Sequence, residues 1–292
     1  MKADRGLTIE RMVELGRVSR SGFYRFHEDD QAASDPDMDL RDAMQRIALE
    51  WPSYGRPRIT FELRRRGWTV NPKRVYRILR EDNLLCVRKR KFVVTTDSNH
   101  GRKVYPNLAS QRVVTDVGQL WVADITYIRL QDEFVFLAVI LDACSRRVIG
   151  WALERTLEDK LTLAALRMTL SQRAIRPGLV HHSDRGSQYA STDYTDLLKA
   201  HGIDISMSRK ANPWDNAACE SFMKSLKYEE VLRNEYRDLG EARRSIVRFL
   251  EQVYNEKRLH SALGYRPPVE FEQALLAAKQ TAPAVSAGEL EC

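Results

Sequence analysis

Three acids in this 292-residue sequence, Asp124, Asp184 and Glu220, stand in settings that single them out. Asp124 interrupts an apolar, strand-like run, Trp121-Val122-Ala123-Asp124-Ile125-Thr126-Tyr127. Asp184 closes Val180-His181-His182-Ser183-Asp184 and is followed by Arg185-Gly186-Ser187-Gln188-Tyr189. Glu220 follows Asn212-Pro213-Trp214-Asp215-Asn216-Ala217-Ala218-Cys219. Carboxylates carried on separate elements but able to converge form a hard oxygen-donor set suited to Mg²⁺. Two such ions held roughly 3.5–4 Å apart can stabilise both the attacking and the leaving oxygen of an in-line displacement at a phosphodiester. Without a cation the same carboxylates repel and at least one pKa rises; a divalent ion removes that penalty. The trio therefore predicts phosphoryl transfer on nucleic acid, with two Mg²⁺ ions per site and Mn²⁺ as a substitute.

Each acid also has a plainer reading. Asp124 could face water from an edge strand, and Asp184 could be a turn aspartate. Glu220 could form an i,i+4 surface pair worth only about 0.3–0.5 kcal/mol. At about 100° per residue, Lys224 and Lys227 fall on the face of Glu220 while Phe222 and Leu226 point away. That face offers a carboxylate and then two ammonium groups, suited to a metal and adjacent DNA phosphates.

The elements that must position these groups are legible in the apolar pattern. Leu120–Ile128, Phe134–Asp142 and Val148–Glu154 read as an antiparallel meander. A helix is expected from Thr156, with Asp159 completing a capping box, to about Arg173. Next come a strand at 179–182, a helix from Ser191 or Thr192 to Gly202, a strand at 203–207 and a helix from near Asp215 or Asn216. The order β-β-β-α-β-α-β-α predicts an α/β, ribonuclease-H-like mixed five-stranded sheet with flanking helices. Asp124 then alternates onto one face with Val122, Thr126 and Ile128, and Asp184 lies at a strand's carboxyl end, where ligands of α/β sheets tend to sit.

Upstream the pattern is helical. Two short amphipathic helices precede residue 30, the second capped by Ser19 or Ser21, and a polar stretch ends the N-terminal arm (1–38). Leu40, Met44, Ile47 and Ala48 mark one buried helix face, stopped by Pro52. A helix over Ile59–Arg66 ends at Gly67, and another starts at Asn71 with Pro72 in its first position and Val75, Tyr76, Ile78 and Leu79 facing inward. This pair predicts a small all-α helix-turn-helix domain (39–92) whose recognition helix presents Lys73, Arg74, Arg77 and Arg80 to DNA. Arg88, Lys89, Arg90 and Lys91 extend the basic surface into a linker (93–117). Between Arg56 and Lys103 there are fifteen Lys or Arg against four Asp or Glu, a surplus of +11 in a chain whose net charge is +7. A basic module is thus joined to a near-neutral or acidic one that carries the carboxylates, one part for phosphates and the other for metal. The catalytic core is expected at 118–274 and a disordered tail at 275–292, Ala- and Thr-rich from about Lys279.

The four cysteines form no C-x-x-C pair, so neither a zinc ribbon nor a disulfide framework is indicated. The longest apolar run, Phe134–Leu141, is far short of the roughly 20 residues a membrane span needs, and Met1-Lys2-Ala3-Asp4-Arg5 has no signal-peptide core. A cytoplasmic, nucleoid-associated protein without membrane contact is expected. His181 or His182 is expected to pack in the core, and Trp214 to stack on a base or anchor its loop.

These motifs together resemble retroviral-integrase-like DDE transposases, specifically the second-frame (OrfB) products of bacterial insertion sequences. The resemblance rests on Tyr54-Gly55-Arg56-Pro57-Arg58-Ile59, Asn71 to Arg77, Trp121 to Tyr127, Asp142 to Trp151, His182 to Tyr189, and Asn255-Glu256-Lys257-Arg258-Leu259-His260-Ser261-Ala262-Leu263-Gly264-Tyr265. It implies an integrase catalytic core with Asp124, Asp184 and Glu220 as the metal-binding catalytic acids. Lys227 would hold DNA near the scissile phosphate, and strands would be cleaved and transferred at the ends of an insertion element. Implied partners are double-stranded DNA (terminal inverted repeats and target), further copies of the chain on that DNA, and a first-frame DNA-binding protein. Viral relatives carry a His-His-Cys-Cys zinc domain before the core, whereas here only His27 and Cys86 precede His100, so end recognition is assigned to the helix-turn-helix. Two rival readings use the same residues: a DNA-binding regulator with an inactive core, and a ribonuclease-H-like structure-specific nuclease. The nuclease leaves the helix-turn-helix and Lys227 without a role.

Overall fold

The computed structural model describes residues 8–25, 36–85, 103–110, 112–209 and 216–281. Arg88, Lys89, Arg90 and Lys91, the linker up to residue 102, Trp214 and the tail beyond 281 lie outside the described residues. Two short helices, α1 (Ile9–Gly16) and α2 (Arg20–Arg25), come first. Thr8 caps the first by accepting from the Arg11 N–H, and Ser19 accepts from the Gly22 N–H at the start of the second. A three-helix module follows: α3 (Met38–Glu50), α4 (Arg56–Arg65) and α5 (Pro72–Glu81). Leu40, Met44, Ile47, Ile59, Leu63, Val75, Ile78 and Leu79 are its buried centre. Asn71 caps α5 by accepting from the Lys73 N–H at 2.8 Å, just before the proline. Tyr76 does not face inward as expected. It is 45% exposed, because it sits roughly 100° around the helix from the buried stripe of Val75, Ile78 and Leu79, and it lies under the Arg56 guanidinium.

The second module is the expected mixed sheet. Its strands are β1 (Leu120–Arg129), β2 (Phe134–Asp142), β3 (Val148–Glu154), β4 (Val180–Ser183) and β5 (Asp204–Met207), in the spatial order β3-β2-β1-β4-β5. The first three pair antiparallel, and β1-β4 and β4-β5 pair parallel. Parallel neighbours need crossovers, which α6 (Asp159–Gln172) and α7 (Thr192–Ala200) supply. Helix α6 begins three residues later than the Thr156 pattern suggested, with Glu158 at its cap position. On the other face lie α8 (Ala217–Glu229) and α9 (Leu239–Arg248), the latter continued by a wider π turn over Phe249–Asn255.

Strand alternation divides the core into two layers. Trp121 and Ala123 point to the α6–α7 side with Ala138, Ile140 and Leu166, while Val122 and Ile128 point to the α8–α9 side with Phe222, Leu226 and Phe249. Helix α6 lies so close to β3 that a Cβ at Gly150 would fall 1.9 Å from Thr169 Oγ1 and 2.5 Å from the Ala165 carbonyl. Asn255 closes the other side of β3. Its side chain accepts from the Val148 N–H and donates to the Val148 carbonyl, both at 2.9 Å, beside the register shift at Ile140/Leu141.

Where described, residues 103–117 of the expected extended linker carry no helix or strand and lie against the second module: the Leu108 N–H donates to Ser206 Oγ at 2.8 Å, and Tyr105, Ala109 and Val114 pack on the sheet layers. The tail does not loosen at residue 275, because α10 (Pro268–Thr281) runs on as a helix. Glu272, in its first half, accepts from Arg147, Arg173 and Ser145. Lys279, near its end, pairs with Asp116, which also binds Arg176 at 2.5 Å. Ala and Thr richness suggested looseness; charges from distant parts of the chain supply the anchors. Among the described residues no helix is long and apolar enough to cross a membrane.

Candidate active site

The parallel register of β1 with β4 pairs Val122 with His182. Two residues further along both chains stand Asp124 and Asp184, so the register carries the two acids side by side, Asp184 just past the carboxyl end of β4. Asn216, at the cap of α8, donates from Nδ2 to the Ala123 carbonyl at 3.2 Å and pins the start of that helix to β1. Glu220 lies one turn further on.

The three acids share one electrostatic field. Asp124 is deeply set, with a small part of the residue still open to solvent. Burial first, then the Asp184 and Glu220 carboxylates, push its pKa up to about 7, against the Ile125 N–H bond and the Lys227 ammonium, which favour the charged form. Lys227 stands over the Tyr127 ring, Nζ 5.1 Å from its centroid. Lys224 Nζ is 3.9 Å from Glu220 Oε2, a loose and exposed pair. Asp184 Oδ1 accepts from the Gly186 N–H at 2.9 Å, and a Cβ at Gly186 would come 2.9 Å from that same oxygen.

All three groups are hard oxygen donors, and the part of the Asp124 shift that comes from Asp184 and Glu220, after burial, is a repulsion that a divalent cation relieves, so the donor chemistry fits Mg²⁺ or Mn²⁺. As they stand, no three His, Cys, Asp or Glu among the described residues are gathered closely enough to hold one ion. One Asp184 oxygen is turned to its own loop and Glu220 leans towards Lys224. For the three to share one ion, the side chains of Asp184 and Glu220 would have to rotate towards Asp124.

Sequence reasoning passed over several groups around this site. The Tyr189 hydroxyl is buried behind the acids without a hydrogen-bond partner among the described residues, and burial raises its pKa well above the ordinary value. Asp142, a fourth acid at the end of β2, is structural. Its carboxylate accepts from the backbone N–H groups of Gly118, Cys144 and Ser145 and shapes the turn that leaves Arg146 at φ 62. Both strand histidines are buried rather than one: His181 Nε2 meets the Tyr194 hydroxyl at 2.9 Å, and His182 Nδ1 meets Ser206 Oγ at 2.8 Å. The alternation of β4 sends them to opposite faces, which a two-residue repeat could have indicated.

The basic residues of α5 separate into two sets. Arg74 and Arg77 both bind the carboxylate of buried Asp37, and Arg77 also pairs with Glu81. Arg41 completes the network through Glu81 and Asp82. Bonds from Arg77 and then Arg74 hold the Asp37 carboxyl below the usual range. Of the four cations expected to face DNA, Arg74 and Arg77 already hold an intramolecular anion. Lys73 and Arg80 lie on the outward face with Tyr76 and Arg56.

Comparison with known proteins matches this layout. Residues 114–213 and 201–268 match integrase core domain families, and residues 36–92 match an HTH-like domain. The transposase InsF for insertion sequence IS3A of Escherichia coli (strain K12) is 36% identical over 278 residues, 92% of this chain and 96% of that protein. This chain belongs to the insertion-sequence transposase family with an integrase core. Other relatives are an uncharacterized 31 kDa protein of insertion element IS600 from Shigella sonnei, 38% identical over 90% of this chain and 97% of that protein, and the transposase for insertion sequence element IS904 of Lactococcus lactis, 36% identical over 75% and 87%. Among solved structures, the catalytic core domain of BIV integrase aligns with 56% of this chain and 99% of its own, at 19% identity and a TM-score of 0.40. The HTLV-2 integrase catalytic core domain in complex with magnesium aligns with 54% and 97%, at 15% identity and a TM-score of 0.41.

Proposed function

We propose that this member of the transposase family cleaves DNA at the ends of an insertion sequence and joins the freed ends to target DNA, with Asp124, Asp184 and Glu220 holding the divalent cations. The observation that carries the reading is the β1–β4 register, which sets Asp124 beside Asp184, with Asn216 pinning the start of the Glu220 helix to β1; burial first, and then the two neighbouring acids, raise the Asp124 pKa to about 7, while Lys227 acts in the opposite sense. Bound there, two Mg²⁺ or Mn²⁺ ions would supply Lewis-acid charge at the attacking and leaving oxygens. Asp124, on the stiff central strand, fixes the position of the site, while Asp184 and Glu220 close upon it from a loop and a helix. Lys227 and Lys224 continue along α8 from the acids and are suited to the phosphates flanking the reacting one. In cleavage, a water oxygen bonds to phosphorus as the bond to the DNA 3′-oxygen breaks and a 3′-hydroxyl leaves. In strand transfer, the oxygen of that hydroxyl gives up its proton and bonds to a target phosphorus as the target's own bond from phosphorus to its 3′-oxygen breaks, and a target 3′-hydroxyl leaves. Neither step requires a covalent bond to the protein.

The helical module is assigned to recognition of the terminal repeats through Lys73 and Arg80. Several copies of the chain on DNA, and the first-frame DNA-binding protein, are the partners this reading requires. The test is Asp184→Asn on end-containing DNA in Mg²⁺ and Mn²⁺. Cleavage and strand transfer are expected to vanish while end binding survives; substantial residual catalysis would remove Asp184 from the site. A regulator with an inactive core predicts no cleavage by the unaltered chain, and a structure-specific nuclease predicts cleavage without strand-transfer products.

A further inference from the structure

The motif Asn255 to Tyr265 has no part in the chemistry above, yet it makes most of the described joint between the two modules. The Leu259 side chain is fully buried in the centre of the helical module, among Tyr54, Ile59 and Leu63. Both backbone groups of Leu259 are taken by that module: its N–H donates to the Tyr54 hydroxyl at 2.8 Å, and its carbonyl accepts from Arg58 Nε at 3.0 Å. Phe61 stacks on Tyr265 with ring centroids 4.1 Å apart, and Arg65 pairs with Glu270 at 2.8 Å. The loop is stiffened internally. The His260 N–H bonds the Arg266 carbonyl, the Tyr265 N–H bonds the His260 carbonyl, and Gly264 and Tyr265 both take left-handed backbone, φ 65 and 59.

The residue before Leu259 faces the catalytic side. Arg258 makes a two-pronged, buried ion pair with Glu229, at 2.7 and 2.8 Å, with 5% and 8% of the side chains exposed. Glu229 is the last residue of α8, the helix that carries Glu220 and Lys227, and lies about 14 Å along the axis from Glu220. Tyr254, packed edge-on between Phe222 of α8 and His260, gives a second contact between the loop and that helix. Adjacent residues, 258 and 259, are thus clamped to the catalytic helix and to the DNA-binding module.

We propose that residues 258–265 form a clasp that holds the helix-turn-helix at a fixed place relative to α8, so that one chain acts as a ruler between the base pairs it recognises and the bond it cuts. Tyr54, Arg58, Arg258 and Glu229 are positioning residues in this scheme. The inference rests on the transposase reading, and it adds that recognition and cutting of an end are linked within a single chain. Base pairs inserted between the recognised sequence and the cleavage point would displace the phosphate from the acids, and a 5-base-pair insertion would turn it by roughly half a helical repeat. A displacement of that size costs on the order of a hundredfold or more in rate.

The test uses the full chain on end DNA with 0, 2, 5 and 10 inserted base pairs. Cleavage in Mn²⁺ and hydroxyl-radical footprints in Ca²⁺ are both read. For the unaltered chain, insertions are expected to abolish cutting at the original bond while the recognised sequence stays protected. Loosening the clasp with Tyr54→Phe plus Phe61→Ala should leave end affinity within a few-fold. It should spread cutting over neighbouring phosphates and restore cutting of the inserted ends. Glu270→Lys, an exposed charge reversal opposite Arg65, should give a weaker form of the same spread should the double variant melt early. Arg66→Ala, whose pairs with Glu50 and Glu62 stay inside the module, should behave as the unaltered chain. Single-site cutting by the loosened variants, or free tolerance of insertions by the unaltered chain, would overturn the ruler. If no DNA is cut at all, the transposase reading fails, and the footprints still decide the ruler: protection around the end must keep a fixed spacing in the unaltered chain and blur in the loosened ones.

Discussion

Asp124→Asn is expected to make the metal-free protein more stable and inactive at the same time, and the pH dependence of the gain is its signature. The carboxyl ionises near 7 in the folded chain against 3.8 in an open one. A folded pKa above the unfolded value means that the protonated acid favours folding. Its contribution is fully present below pH 3.8 and is lost as pH rises through 7. At 1.36 kcal/mol per pH unit, the gap from 3.8 to about 7 amounts to about 4 kcal/mol against the folded state at pH 8. Asparagine keeps the shape and an acceptor for the Ile125 N–H but carries no charge. The variant should therefore exceed the unaltered chain by about 2–4 kcal/mol at pH 8 and match it to within about 1 kcal/mol at pH 4. At roughly 2 °C per kcal/mol for a chain of this size, the melting temperature at pH 8 rises by about 4–8 °C. The assay is thermal melting by circular dichroism at pH 4, 6 and 8, in EDTA and again with excess Mg²⁺, since an ion that binds only the folded chain stabilises it by mass action. Mg²⁺ should stabilise the unaltered chain at pH 8 and leave the variant nearly unmoved. A variant that melts earlier at pH 8, or an equal Mg²⁺ response in both proteins, would refute the argument that a buried carboxyl beside further acids defines this site.

Burial pushes the His181 and His260 pKa values down to about 3 and about 2, so stability present above pH 6.5 should drain away as pH falls towards those values, by about 3 kcal/mol per histidine at pH 4. Melting curves in the Asp124→Asn background isolate this limb, since the aspartate contributes with the opposite sign; a flat profile from pH 7 to 4 would contradict it. Gly150→Ala puts a methyl into Thr169 and the Ala165 carbonyl and should cost about 3 kcal/mol, the upper end for overpacking, seen as early melting or insolubility. Lys73→Ala and Arg80→Ala should each weaken end binding and lower the slope of log affinity against log salt by about 0.9. Arg74→Ala and Arg77→Ala should instead lower the melting temperature, because they release Asp37; salt titrations of all four variants decide between the roles.

The order of strands and helices and the face of β1 that carries Asp124 followed from sequence alone. Those features arise from periods of two and 3.6 residues, which are local properties of the chain. The boundaries of β2 and β3 and the Asn71 cap followed for the same reason. Tyr76 is the exception within an otherwise legible helix: its position lies roughly 100° around from the buried stripe, where the ring is exposed beneath the Arg56 guanidinium. What only the tertiary structure decided depends on partners far apart in the chain. Asp37 claims two of the four expected DNA-binding cations from 37 and 40 positions away, Asp116 and Arg147 anchor a helix expected to fray, and Arg58 reaches the Leu259 carbonyl across 201 positions. No local period encodes such pairings. Side-chain type limits which partner a charge or a buried N–H can take, and the folded path of the backbone selects one of them.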